Sequence, residues 1–480
     1  MAAHVSALSA SRNGRAAVVA VIGGGASGTL TAVYLLREAA AARVPLRIAL
    51  IDRHGRHGLG QAYATSNAAH LLNSPAARMS AIANDPGHLL RWAQARGIDH
   101  DGFLPRPAYG RYLGEVLADA ERAAFRAATV TRVTSDVVAL TQGGLHRPLR
   151  LHLAADGRID ADVAVLATGN RPPAPPCPVP DSPRYVGDPW QPGALDGIDD
   201  GSPVVVLGTG LTMLDVAITV TGAHQGTVVH AVSRHALLPR EHAGEPGAVA
   251  GLRPAVLSPG ILARGPVGLP GLIRSVRVAA ADAPGDWQSV VDSLRPHVTG
   301  IWQALTPQDK RVFLRSVARY WEVHRHRVPP VTAARIGRLT SDGRLAVHRG
   351  RVVAVTEAAG GLRVRIEQDG RTAEIAAGWL VNATGPAADI TNTPDPLLRG
   401  LLGAGLATPD PLRLGLQAGA AGALLDAAGR PSATLFTLGP PLRGQLYETT
   451  AVPEIRDQAA ALAGRLISAL RSRAANESAA

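Results

Sequence analysis

The chain has 480 residues, 46% of them hydrophobic and 18% charged, with a formal net charge of +11 and a single cysteine, Cys177. That length supports two or three domains with full cores, while one cysteine excludes an internal disulfide and fits a cytoplasmic location. No apolar run approaches the roughly 18 residues of a membrane span. The basic residues, arginine throughout except Lys310, are scattered rather than clustered, which argues against nucleic acid as a partner.

In chain order, the short polar start gives way to the apolar run 17–22, which reads as a first strand and not as part of a signal peptide. It runs into Gly23-Gly24-Gly25-Ala26-Ser27-Gly28, a glycine-rich turn that predicts a helix over 29–40. A second strand at 46–51 ends on Asp52. Gly23, Gly25 and Gly28 are the residues of such a turn that let backbone amides reach a pyrophosphate, and an acid about 20 residues on suits an adenosine ribose. The unit recurs at Val204-Val205-Val206-Leu207, followed by Gly208-Thr209-Gly210-Leu211-Thr212-Met213, a helix over 211–221 and a strand over 227–232. Gly208, Gly210 and Thr212 stand where phosphate contacts belong, although Met213 replaces the third glycine. The second strand ends on Ser233 and Arg234 instead of an acid, which favours a 2′-phosphate and hence NADPH, with NADH as the alternative.

Two strand-rich stretches, 129–169 and 352–385, repeat one another. Each reads as a small antiparallel meander ending in Ala-Thr-Gly, at Gly169 and at Gly385, where the chain is expected to cross between domains. The Pro-rich segment 171–180 is a stiff connector, and 251–296 reads as irregular. The expected architecture is α/β with two Rossmann-like dinucleotide-binding domains, glutathione-reductase-like. An FAD domain is split into 1–198 and 346–480, and an NADPH domain, 199–345, is inserted between its parts. Near the end, Glu448-Thr449-Thr450 precedes a helix with Ile455, Ala459, Leu462, Leu466 and Leu470 on one face. Thr450 is its expected cap, and its start is placed to stabilise negative charge on a reduced flavin. His54, His57, His324 and His326 lack the spacing or the companions of a metal site, so none is expected.

Several stretches resemble a known group. Gly58-Leu59-Gly60-Gln61-Ala62-Tyr63, Leu71-Leu72-Asn73-Ser74-Pro75-Ala76-Ala77-Arg78-Met79-Ser80 and Gly208–Asp215 are similar to flavin-dependent monooxygenases of the urate hydroxylase and L-aspartate N-monooxygenase type. So are Ser233–Arg240, Trp321–Arg327 and Glu448–Arg456. The resemblance implies a flavoprotein hydroxylase in which FAD, reduced by a nicotinamide cofactor, takes up O2 as a C4a-hydroperoxide and oxygenates a small polar nitrogen compound. Urate and an amino acid are both candidate substrates. It further implies that Asn73, Arg78 and Met79 lie beside the flavin and that 321–327 approaches the substrate. A disulfide reductase is excluded by the single cysteine. An NADPH oxidase or flavin reductase without oxygen insertion, and a non-catalytic sensor of both nucleotides, share the same two sites and remain alternatives.

Overall fold

The computed structural model describes residues 16–98, 101–141, 149–243, 268–283 and 285–479. Strand β1 (Ala17–Ile22), helix α1 (Ala26–Ala42) and strand β2 (Leu46–Asp52) form the first βαβ unit. β1 and β2 pair in parallel from Ala17 opposite Leu46 to Ile22 opposite Ile51. Helix α1 is apolar nearly all round, because it lies between this sheet, helix α2 (Arg106–Ala124) and the C-terminal helix. A helix buried on several sides has no polar face to display.

Beyond α2 come β3 (Ala128–Thr134), the antiparallel meander β4 (Val137–Thr141), β5 (Leu149–Leu153), β6 (Arg158–Ala161), and the return strand β7 (Val163–Leu166). β7 sits directly beside β1. After the connector the chain enters a second sheet through β8 (Tyr185–Val186), β9 (Val204–Leu207), helix α3 (Leu211–Ala223) and β10 (Val229–Ser233). Further on are helices α4 (Leu269–Asp282), α5 (Trp287–Ser293), α6 (Ala318–Arg325) and α7 (Pro330–Ser341). Then follow β11 (Leu345–Arg349), a second meander β12 (Arg351–Ala358), β13 (Gly361–Gln368), β14 (Arg371–Ala377), and β15 (Trp379–Asn382). The chain finishes with β16 (Ala423–Leu425), β17 (Pro431–Thr437) and helix α8 (Val452–Ala479).

The first sheet has the order β16-β17-β7-β1-β2-β3 and is parallel apart from β16; the second, β11-β10-β9-β15-β8, is parallel throughout. Each unit is thus a βαβ turn whose meander delivers a return strand next to its first strand. Crossings between the sheets follow β7 and β15, after Ala167 and Ala383.

Two readings of the sequence need correction. By sheet membership the second unit runs from β8 to β15, so β11 and β15, expected beyond an NADPH domain ending at 345, pair within its sheet. A strand's sequence specifies its burial but not which of two similar sheets receives it. The stretch 251–296, read as irregular, lies outside the described residues up to 267; from 268 it holds α4 and α5, the first begun by a proline in its first turn and the second capped by Asp286. Among the described residues no helix is long and apolar enough to cross a membrane.

Candidate dinucleotide and active site

At the first glycine turn, Gly23 has φ +112, and a Cβ there would stand 2.3 Å from the Ala167 carbonyl oxygen at the end of β7. A Cβ on Gly28 would stand 1.8 Å from the Gly23 oxygen, so α1 packs on β1 only with glycine at this position. Gly25 precedes the helix in extended conformation, and neither a capping side chain nor a first-turn acid satisfies the helix start. Such an uncapped N-terminus favours an anion. Asp52 accepts the Gly24 N–H at 3.1 Å and the His54 and Arg56 N–H groups at 3.0 Å each. The segment beyond it folds back, the Gly58 N–H donating to the Gly24 oxygen at 2.8 Å. Asp52 therefore ties the glycine turn to this segment, a scaffolding part that the spacing alone does not reveal.

The second turn repeats the first. Gly208 has φ +105, and its Cβ would lie 2.5 Å from the Ala383 oxygen at the end of β15. Nothing lies within 4 Å of a Cβ built on Gly210, and α3 begins without a side-chain cap. Met213 is fully buried where Gly28 stands in the first unit, and Thr212 is half-buried. The Ser233 hydroxyl lies 2.9 Å from the Thr209 hydroxyl and accepts the Ala236 N–H at 3.0 Å. Arg234 next to it is exposed and makes no ion pair among the described residues. Gly385, with φ +92 and open space about it, follows Thr384, whose N–H and hydroxyl both donate to the Asn382 carboxamide.

Between the units, the loop holding Asn73, Arg78 and Met79 meets α5 and the strand-like segment at 240–242. The Asn73 oxygen accepts from His242 Nε2 at 3.0 Å, and the Met79 oxygen accepts from the buried Tyr109 hydroxyl at 2.8 Å. Arg78 Nη1 lies 3.2 Å from Asp292 Oδ2, while Arg327 Nη2 lies 2.6 Å from Asp292 Oδ1. Glu448 receives Arg325 at 2.9 Å, in a pair where both side chains are 9% exposed, and the Trp321 indole N–H at 3.1 Å. Thr449, fully buried, donates to the Gly439 oxygen and accepts from Gln458. Helix α8 starts at Val452, with the Ala451 oxygen accepting the Ile455 N–H, so the cap position falls on Ala451 rather than on Thr450. The structure thus brings Arg78 to the 321–327 segment through Asp292, Asn73 to it through His242 and the 240–242 segment, and Glu448 to it through Arg325.

The electrostatics of this junction follow from burial among arginines. Burial first, with Arg327 and Arg78 also contributing, lowers His242 to about 4. Burial and the guanidinium groups of Arg325, Arg443, Arg295 and Arg327 lower His326 to about 3. Burial works against a charged Asp292, but Arg327 and Arg78 outweigh it and hold the carboxyl below its usual range. Asp292 and His242 escaped sequence reasoning because they sit in stretches without a motif. A second junction, also missed, joins α3 to the first unit. Arg106 Nη2 lies 2.8 Å from buried Asp215 Oδ2, and His70 Nε2 lies 2.9 Å from the Thr219 hydroxyl and 3.1 Å from the Asp215 main-chain oxygen.

A family model described as FAD-NAD(P)-binding matches residues 20–171, which hold the first glycine turn, Asp52 and the loop of Asn73, Arg78 and Met79. The L-aspartate N-monooxygenase (nitrosuccinate-forming) of Streptomyces davaonensis is 29% identical over 287 residues, covering 50% of this chain and 43% of that protein. The match therefore spans less than half the length of that relative. Among solved structures, the reduced form of ornithine hydroxylase from Pseudomonas aeruginosa superposes with a TM-score of 0.63 at 15% identity, over 95% of this chain and 99% of that one. The ornithine N-hydroxylase of Kutzneria sp. 744, solved with reduced FAD, NADP+ and L-ornithine, gives 0.60 at 17% identity with the same coverage. At such identities the likeness is one of fold. Residues 20–171 match the FAD-NAD(P)-binding family model, and the chain as a whole shares the fold of these two ornithine hydroxylase structures.

Proposed function

We propose that this protein is an FAD-dependent, NAD(P)H-consuming monooxygenase that hydroxylates a small polar nitrogen compound. The observation that carries the reading is the pairing of two uncapped helix starts, one behind each glycine turn, with a buried junction between the units. Gly23, Gly25 and Gly28 would cradle the FAD pyrophosphate and Asp52 its ribose. Gly208, Gly210, Thr212, Ser233 and Arg234 would hold the nicotinamide cofactor, with Gly385 at the crossing beside it. Asn73, Arg78, Met79, Glu448, Thr449 and Thr450 would line the flavin ring. When bound, FAD supplies the electron transfer and oxygen activation that side chains cannot perform.

The chain's own share is positional. Asn73 and Met79 have their main-chain oxygens fixed by His242 and Tyr109, which sets the loop against the junction. The Arg325–Glu448 pair is buried and keeps water from that place. For an amine the balance is R–NH2 + O2 + NADPH + H+ giving R–NHOH + H2O + NADP+. The test is aerobic NADPH oxidation by FAD-loaded protein with urate, aspartate, ornithine and lysine in turn, peroxide being measured alongside. One compound should accelerate oxidation with little peroxide and appear as its hydroxylated product. Oxidation ending wholly as peroxide with every compound would make the protein an oxidase, and no oxidation at all would make it a sensor.

A further inference from the structure

Arg327 is 3% exposed, and its Nε and Nη1 are buried with no acceptor among the described residues. Its Nη2 reaches Asp292, but that carboxylate is shared with Arg78, so one negative charge faces two guanidinium groups. Among the described residues the acids packed into this junction are engaged: Glu448 takes Arg325, Glu454 takes Arg295, and Glu322 takes both Arg319 and Arg443, while Glu241 beside Val328 is exposed. The guanidinium carbon lies 5.9 Å from the centre of the Trp287 ring, which covers it without satisfying an N–H. A buried cation with donors left over is costly unless something present in the working state completes it. Its place, across Asp292 from Arg78 and near the His242–Asn73 contact, is the junction where the proposed reaction occurs.

We infer that Arg327 anchors an anionic group of the substrate, so that the site selects small molecules of net negative charge over diamines. The inference rests on the monooxygenase reading for the word substrate, but the anion site itself does not depend on turnover. A diamine brings two ammonium groups to a cluster whose acids Asp292 and Glu448 are already engaged. A dicarboxylic amino acid, or the urate anion, brings the acceptor that Arg327 lacks.

The test uses two matched probes on the FAD-loaded full chain, succinate and butane-1,4-diamine, with binding followed by calorimetry and by the flavin absorbance. Succinate should bind saturably and the diamine should not. Arg327→Met should retain FAD and weaken succinate by roughly 100-fold, and Arg327→Lys should lie between the two. Equal binding of both probes to the unaltered protein would overturn the inference, and this arm needs no variant to fold. Unchanged succinate binding in Arg327→Met would also overturn it. Loss of FAD from that variant with its fold intact would assign the free N–H groups to the flavin and overturn it too. Aspartate and urate as competitors against succinate then tell the two sources of negative charge apart. If succinate binds through Arg327 while no compound is hydroxylated, the anion site stands and the monooxygenase reading falls.

Discussion

Arg234 shows what a strand end can specify. At the equivalent point of the first unit Asp52 is held by three backbone N–H groups, whereas Arg234 is exposed and free of any acidic partner among the described residues. A carboxylate suits a bare ribose and repels a 2′-phosphate; an uncommitted guanidinium does the opposite. Replacing Arg234 by Ala should raise the KM for NADPH by about 10-fold or more and leave that for NADH nearly unchanged. Parallel titrations with both cofactors decide the point, and equal effects would remove the 2′-phosphate role. At this scale the sequence was legible where backbone geometry demands one residue type. Gly23 and Gly208 could be picked out because only glycine tolerates their φ and the carbonyl that crowds each of them. Asp292 could not, and Arg327 entered only as the end of the resembling segment 321–327, since an arginine in a sequence rich in arginines carries no mark of burial.

Among elements, helix α3 matters most because one end holds the second glycine turn and its flank is fastened to the first unit. Thr219 receives both His70 and Asn67, and Asp215 pairs with Arg106 in an interior where each side chain is about one-tenth exposed. Replacing Arg106 by Met leaves the Asp215 carboxylate buried without its partner, at a cost of about 3–5 kcal/mol. Urea denaturation should show the lower midpoint, and Arg106→Met combined with Asp215→Leu should recover much of it. Recovery would be absent if the two side chains acted independently. The strands and helices around each glycine turn were readable because apolar periodicity and turn chemistry agree there. The placing of β11 and β15 in the second sheet was not, for their sequences state only that they are buried strands. The helices beyond 268 were hidden by glycine and proline that start or flank them without breaking them.

Taken whole, the molecule should be sensitive to acid at the seam between its units. His326 and His242 are neutral in the folded chain down to about 3 and about 4. In the unfolded chain each takes up a proton near pH 6.5. Between those limits the unfolded state binds more protons, so stability falls as pH drops below 6.5, by up to about 1.4 kcal/mol per pH unit for each histidine. Asp292, held low by its arginines, adds a loss in the same direction once pH falls through its own titration. Thermal unfolding from pH 7.5 to 4.5 should show this decline, and His242→Gln combined with His326→Gln should flatten it. An unchanged slope in that variant would place the acid sensitivity elsewhere.

The two crossings between the units have a further consequence. Each leaves from the alanine whose carbonyl crowds a turn glycine, Ala167 against Gly23 and Ala383 against Gly208. The outgoing strands then run side by side: the Ala387 N–H donates to Pro172, the Thr384 hydroxyl to Ala174, and the Arg171 guanidinium to the Asp389 oxygen at 2.7 Å. The two units are therefore joined by a double strap rooted beside both glycine turns. If one unit swings against the other, the pivot passes close to the two glycine turns. In such a swing the two turns would stay nearly fixed relative to one another while the distant rims moved most, so the geometry between them would be the part of the molecule least disturbed.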